Sequence, residues 1–283
     1  MPVLNIENIS KCIAMYNLNA RERNAITTFK SKFVDRWGIF DGASVLEIGC
    51  GQGDTTAILA EAVGNNGQVI ATDIADANYG SPITIGEAAK FLSESRLGSR
   101  IKFLFNFNIN NTHNIFTNNV FDFVVFAHCS YYFESREILL NSFINSKKYS
   151  KKLCFSEWDI VADNIMQIPH LLAIIIQGQF ESFKQQSFAN IRSPFSKQEI
   201  ENLLDKAGWI ITEEFKIDSS PMKEYVNWEV DICLDQLLTD SKQTGIPKKF
   251  YDNISWQIDA LRRYTETYSV EPLPSFSFLA NKE

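Results

Sequence analysis

The chain has 283 residues, 45% of them hydrophobic, with a formal net charge of -7 and an isoelectric point near 5.2. That composition can bury one large core, or a core plus a lid, and no run of Lys and Arg is dense enough to track phosphates, which argues against DNA or RNA as substrate. Five scattered cysteines (Cys12, Cys50, Cys129, Cys154, Cys233) without a Cys-x-x-Cys pair, and three distant histidines, suggest packed thiols in a reducing compartment and no metal centre.

The start, MPVLNIENIS, lacks a basic end followed by an apolar core, and the longest apolar patch, Leu171 to Ile176, is too short to span a bilayer. A cytoplasmic chain without integral membrane contact is expected. Residues 1–43 read as a helical segment, with Ile26, Phe29, Phe33 and Trp37 spaced along one face of a helix from Ala25 to Trp37. Packing over the sheet edge explains most of it; Tyr16, Arg21 and Arg23 lie just before it, where a lid over a ligand would start.

The stretch Ser44 to Asp54, SVLEIGCGQGD, organises the rest. Val45 to Ile48 reads as a strand buried on both faces, followed by the turn Gly49-Cys50-Gly51-Gln52-Gly53 and a helix from Asp54 to Ala62. Alternating glycines let the backbone turn tightly and leave room for a ligand against it. A dinucleotide fingerprint would need glycine at position 54, near the pyrophosphate. Asp54 stands there instead, suited to a helix N-terminus and repellent to a diphosphate. The site therefore wants a nucleoside without phosphates. Glu47, inside the apolar strand, is costly unless it finds donors or a cation.

Glu47-x-Gly49-x-Gly51-x-Gly53 resembles the first motif of class I S-adenosylmethionine-dependent methyltransferases. The resemblance implies S-adenosylmethionine as cofactor, a phosphate-free nucleoside that carries ammonium and sulfonium charges, with Glu47, Gly49, Cys50, Gly51 and Gly53 around it.

Gln68 to Asp73 is the second strand, and Asp73 ends it where doubly wound folds place the carboxylate that binds ribose hydroxyls. Ile74 would pack on the adenine. Tyr79, in the loop before a helix opened by the capping pattern Thr84-x-x-Glu87, would border the same side. Ile101 to Phe105 is the third strand. The family commonly has an acid after it; here stand Asn106, Phe107 and Asn108, and an Asn carbonyl oxygen can accept the same hydrogen bond, from either Asn.

Phe121 to Ala127 is a central fourth strand whose end, at Ala127, borders the cofactor, followed by His128-Cys129-Ser130-Tyr131-Tyr132. The Asn- or Asp-Pro-Pro-aromatic motif of some amino-group methyltransferases is absent. His128 is the conspicuous titratable group at this edge; it either hydrogen-bonds the neighbouring loop or acts as a base. Lys151 to Glu157 is the fifth strand, entered by a helix from Arg136 to Asn145 and ending in Glu157-Trp158-Asp159. Glu157 is the second candidate base, and Tyr131, Tyr132 and Trp158 would line an acceptor pocket.

Asp163 to Phe183 is a strongly apolar helical segment with Pro169 near its start, which packs on the core or roofs a pocket. Ser196-x-x-Glu199 opens another helix, stopped by Gly208, before the sixth strand Trp209 to Ile217. Amphipathic helices at Glu224 to Leu238 and Phe250 to Tyr268 precede the seventh strand, Ser275 to Ala280.

The expected fold is α/β: a doubly wound seven-stranded sheet, mostly parallel, the last strand antiparallel between the fifth and sixth. A single domain 1–283 is expected, with a core at 44–160 and helical insertions at 161–195 and 218–270 forming a lid. An enclosed aromatic pocket suits a small, partly apolar acceptor, as in the small-molecule, ubiquinone-biosynthesis-like branch of the family. The alternatives are a non-catalytic cofactor-binding module and a nucleotide-dependent dehydrogenase, the latter opposed by Asp54. Oligomeric state, and the choice among oxygen, nitrogen, carbon and sulfur as methyl acceptor, are not encoded in any motif.

Overall fold

A computed structural model describes residues 4–14, 18–111, 116, 120–184, 189, 191–235, 237 and 245–283. Short apolar runs between glycine-rich turns form the strands β1 (Ser44–Ile48), β2 (Gln68–Thr72), β3 (Ile101–Leu104), β4 (Phe121–Ala127), β5 (Ser150–Trp158), β6 (Trp209–Ile217) and β7 (Ser275–Lys282). Their order is β3-β2-β1-β4-β5-β7-β6. β1 to β5 pair in parallel, and β7 enters antiparallel between β5 and β6, as expected. β1 and β4 are nearly continuous apolar runs because helices cover both faces of the sheet.

The helices are α1 (Ile6–Ser10), α2 (Ala20–Arg36), α3 (Asp54–Ala62), α4 (Ile85–Ser93), α5 (Arg136–Ser146), α6 (Ile168–Glu181), α7 (Lys197–Lys206), α8 (Lys223–Asp235) and α9 (Lys248–Thr267). α4 and α7 start at the expected capping boxes, Thr84 with Glu87 and Ser196 with Glu199. α2 starts five residues before the expected Ala25, because Asn19 and Glu22 form a reciprocal capping box there. The segment from Asp163 is likewise less uniform than its apolar content suggests: Asn164 caps a 3₁₀ turn, Ile165–Gln167, and α6 proper begins at Ile168, with Pro169 in its first turn. α8 covers the expected helix up to Asp235; its proposed end at residue 238 lies outside the described residues, as does Tyr16.

The fully buried rings of Phe29 and Phe33, with Trp37, dock the expected face of α2 on the sheet, each burial being worth about 1.5–3 kcal/mol. Trp37 Nε1–H donates to Ser277 Oγ at 2.8 Å, and Ser277 Oγ–H donates to the Phe155 carbonyl at 2.8 Å. The far end of α2 is thereby stapled to the β5–β7 pair, while Phe29 and Phe33 reach toward the ends of β4 and β5. All five cysteines are buried free thiols. Among the described residues no cluster of His, Cys, Asp or Glu has the arrangement of a metal site, and no helix is long and apolar enough to cross a membrane.

Candidate active site

Gly49, Gly51 and Gly53 all lie in the left-handed region, with φ of 73°, 50° and 84°. A Cβ on Gly49 would stand 2.7 Å from Cys129 Cβ, so this glycine lets the end of β1 press against the chain leaving β4. A Cβ on Gly51 would meet no protein atom within 4 Å and would project into open space. The turn is held by the Gly49 and Cys50 N–H groups, both donating to the Thr72 carbonyl at 2.9 Å. Asp73 completes it: Oδ2 accepts from Gly51 N–H at 2.9 Å and Oδ1 from Ala75 N–H at 2.9 Å. Each oxygen keeps a lone pair for a further donor. Burial raises the Asp73 carboxyl, an effect opposed by these N–H groups and by the Arg192 guanidinium.

The start of α3 is closed to phosphate. Asp54 is buried there, accepts from Thr55 N–H at 2.8 Å through Oδ1, and pairs through Oδ2 with Lys30 Nζ of α2 at 2.5 Å. Gly53 in left-handed conformation, not the Asp54 side chain, occupies the capping position. A helix N-terminus that already holds a carboxylate has no vacancy for a diphosphate. An open glycine cradle, a ribose-type carboxylate and no anion hole together fit a phosphate-free nucleoside.

Glu47 is buried on β1, where its Oε2 accepts from Thr56 Oγ1–H at 2.5 Å. Burial pushes its carboxyl up to about 8, with the nearby Asp54 and Asp73 adding to the rise and Thr56 and Lys30 opposing it. The folded state therefore holds a proton that the unfolded chain releases from about pH 4.5 upward, and stability falls as pH rises until the folded group also ionises near pH 8. Glu47→Gln keeps the shape and an acceptor for Thr56. It should flatten this loss, so that melting temperatures of the ligand-free protein between pH 5 and 8 decline less in the variant than in the parent; parallel curves would show Glu47 already ionised.

Across the turn stands His128. Its backbone lies at φ 49°, an unusual conformation for a residue other than glycine, and its N–H donates to the Ser156 carbonyl at 2.8 Å. Ala127 pairs with Ser156 in the β4–β5 ladder, so the next residues, His128 and Glu157, leave the two strand ends side by side. His128 Nδ1 is 3.4 Å from Glu157 Oε1. Glu157 is 2% exposed and fully engaged: Oε2 accepts from Ser130 N–H at 3.1 Å and Ser130 Oγ–H at 2.7 Å, and Oε1 accepts from Trp158 N–H at 3.0 Å. A carboxylate held this way fixes the proton of a neutral imidazole on Nδ1 and leaves Nε2 with a bare lone pair. His128 Nε2 is buried and has no hydrogen-bond partner among the described residues.

Aromatic rings surround this imidazole. The His128 ring is edge-on to Phe29 at 5.4 Å, Phe33 at 5.5 Å and Trp158 at 4.9 Å, and Phe29 stacks on Trp158 at 5.7 Å. Tyr131 is buried and donates its hydroxyl to the Trp158 carbonyl at 3.3 Å. Tyr132 is half-buried in the same turn.

Other candidates from the sequence are spread along the β1–β3 side. Ile74 is 65% exposed beside Asp73, open for a planar ring to cover, and Tyr79 is half-buried in the loop that follows. Asn106 is exposed at φ 54° and donates its amide to Asp76 Oδ2 at 3.1 Å. Asn108 Oδ1 accepts from Asn110 N–H at 2.9 Å in a local turn. Both Asn side chains therefore serve loop contacts, while Phe107 is buried against Phe116. Cys50 and Ala127 are buried at the strand ends; burial pushes the Cys50 thiol well above its usual range. Arg21 is exposed in the first turn of α2. Lys30, Thr56 and Arg192 were not legible as site residues: they come from three separate elements, and no motif marks their spacing.

A family model described as a methyltransferase domain matches residues 18–214. No curated protein sequence matches the chain. Among solved structures, the chain is similar to a cyclopropane-fatty-acyl-phospholipid synthase-like protein from Lactobacillus casei, at 26% identity and TM-score 0.84 over 98% of both chains. It also shares the fold of a geranyl diphosphate methyltransferase solved in complex with GPP and sinefungin, at 12% identity and TM-score 0.54, over 91% of this chain and 78% of that one.

Proposed function

The chain belongs to the methyltransferase-domain family, with S-adenosylmethionine as its cofactor, and from that premise we propose that it methylates a small, partly apolar or aromatic acceptor held against His128. The observation that carries this reading is the buried His128–Glu157 pair, its free Nε2 walled by Phe29, Phe33 and Trp158. It lies one residue from Cys129, which touches the glycine turn. A pocket of this kind admits a small molecule and turns away a nucleic acid, in keeping with the net negative charge of the chain.

S-adenosylmethionine supplies, when bound, a methyl group on a positively charged sulfur. Gly49, Gly51 and Gly53 would let the backbone back onto it, Asp73 would accept from its ribose hydroxyls, and Glu47 would face its cationic end. Glu157 orients His128, whose Nε2 would accept a proton from an acceptor hydroxyl or acidic carbon. With both oxygens already bonded, Glu157 serves as the positioning group and leaves proton acceptance to His128. Phe29 and Trp158 would exclude water and align the acceptor, and most of the rate advantage comes from such placement.

The test is incubation of the purified protein with S-adenosylmethionine radiolabelled in its methyl group and a panel of phenols, amines, thiols and fatty-acyl acceptors. Label is expected to move into at least one small acceptor. Tight binding of the cofactor with no transfer to any of them would favour a binding module instead. In the same system Asp73→Ala should weaken S-adenosylhomocysteine binding by roughly 1.5–3 kcal/mol, the loss expected for hydrogen bonds to a charged acceptor. Unchanged affinity in calorimetry would move the ribose elsewhere.

A further inference from the structure

Beside Trp158 lies a second buried polar pair that proton transfer at His128 does not use. His170, on the first turn of α6, is fully buried, and its ring packs against Trp158 at 5.0 Å with the two ring planes nearly perpendicular. Its Nδ1 accepts from the Leu273 backbone N–H at 2.9 Å. That bond requires a lone pair on Nδ1, so the ring's proton sits on Nε2 and the imidazole is neutral. Nε2 points toward Glu229 Oε2 of α8 at 3.5 Å, too long for a hydrogen bond, and is left without a partner among the described residues.

Glu229 is 7% exposed, and among the described residues no Lys or Arg forms an ion pair with it. His170 cannot be its counter-ion without breaking the bond from Leu273. Buried carboxylates are otherwise paired, so this one is short of a cation. Its charge is felt by the Tyr131 phenol, which burial first, then Glu157, Glu229 and Asp159, push well above its usual range. Tyr131 is tied to Trp158 by the hydrogen bond from its hydroxyl to the Trp158 carbonyl, and the Trp158 ring meets both His128 and His170.

Resting on the reading of this site as an acceptor pocket, we propose that Glu229 and His170, with Tyr131 and Trp158, form a subsite for a positively charged group of the acceptor, a protonated amine carried on the part of the molecule remote from the methylated atom. A compact ammonium placed there would answer Glu229 with its charge, and the electron-rich faces of Trp158 and Tyr131 would favour it over a neutral group of the same size. The acceptor class is then an aromatic or partly apolar amine.

The experiment uses the full chain saturated with S-adenosylhomocysteine, so that no turnover is needed, and compares phenethylamine with phenethyl alcohol, its neutral isostere. Calorimetry should show the amine bound at least about tenfold more tightly, the size of one partly desolvated cation–aromatic contact plus a charge pair. In protein labelled with nitrogen-15 at histidine, the amine should move the resonances of His170, identified from His170→Gln. Glu229→Gln should erase the preference and leave S-adenosylhomocysteine affinity unchanged. Equal affinity for the two probes, an unmoved His170, or a preference that survives Glu229→Gln would each overturn the proposal. Should Glu229→Gln fail to fold, the wild-type ratio and the His170 signal decide alone. Methyl transfer is scored separately: amine preference without transfer to any acceptor would keep the subsite and remove the enzyme, and transfer without amine preference would do the reverse.

Discussion

Gly51→Val should fold and yet lose measurable binding of S-adenosylmethionine. The protein leaves open the space that a Cβ on this residue would enter, so nothing in the folded chain is struck by it. The left-handed backbone at φ 50° adds strain of about 1–2 kcal/mol for a residue with a Cβ. What the side chain would meet is the cofactor. Overpacking by a methyl or two costs about 1–3 kcal/mol, which is about 5- to 150-fold in affinity, and a β-branched group at a point of close approach belongs at or beyond the upper end. Gly51→Ala should fall inside that range. Gly49→Ala is the informative contrast, because its Cβ would stand 2.7 Å from Cys129 Cβ and the damage would appear as a lowered melting temperature. Calorimetry with S-adenosylhomocysteine and thermal melts separate the two kinds of loss. A folded Gly51→Val protein of normal affinity would show that the turn does not back the cofactor.

The sheet was legible because β1, β4 and β5 are apolar runs of strand length between glycine or polar turns, and because the glycines and Asp73 follow directly on the ends of β1 and β2. The antiparallel entry of β7 between β5 and β6 was expected as well. The start of α2 was missed for a local reason: Asn19-x-x-Glu22 is a capping box, but the helical face used to place the helix begins only at Ile26. The proposed acceptor site was legible in parts and not in its joinery. His128 and Glu157 stood out separately as an imidazole and a carboxylate at one edge. That they form a pair depends on the parallel register that sets Ala127 against Ser156, which no local pattern records. The apolar run of α6 concealed more. Its buried face includes His170, Gln177 and Glu181 among the aliphatic residues, whereas Ile175 is turned out to solvent at 41% exposure. Hydropathy averages over the helix, and the two kinds of residue separate only when its orientation on the sheet is known. Glu229 lies on another helix, and only tertiary packing brings it to His170.

His128→Asn should lower turnover about 10²–10⁴-fold, the usual share of a general base, with cofactor affinity nearly intact. Asparagine is the right replacement for a structural reason as well as a chemical one. At φ 49° most side chains would strain the backbone, but Asn is among the few that enter this region readily, so the turn between β4 and Ser130 should survive. Its amide can still donate toward Glu157, yet it has no atom that takes a proton at neutral pH. Glu157→Gln makes the second arm. Its single carbonyl oxygen can keep the bonds from Ser130, but its NH2 then faces the Trp158 N–H and His128 Nδ1 and no longer anchors a proton on Nδ1, so part of the population would present Nε2–H to the acceptor and turnover should fall without a change in cofactor affinity. If His128→Asn weakens cofactor binding instead, the imidazole is a wall of the cofactor site. Full activity in both variants would mean that the acceptor arrives already deprotonated, and that the pair holds the strand ends together and does no proton transfer.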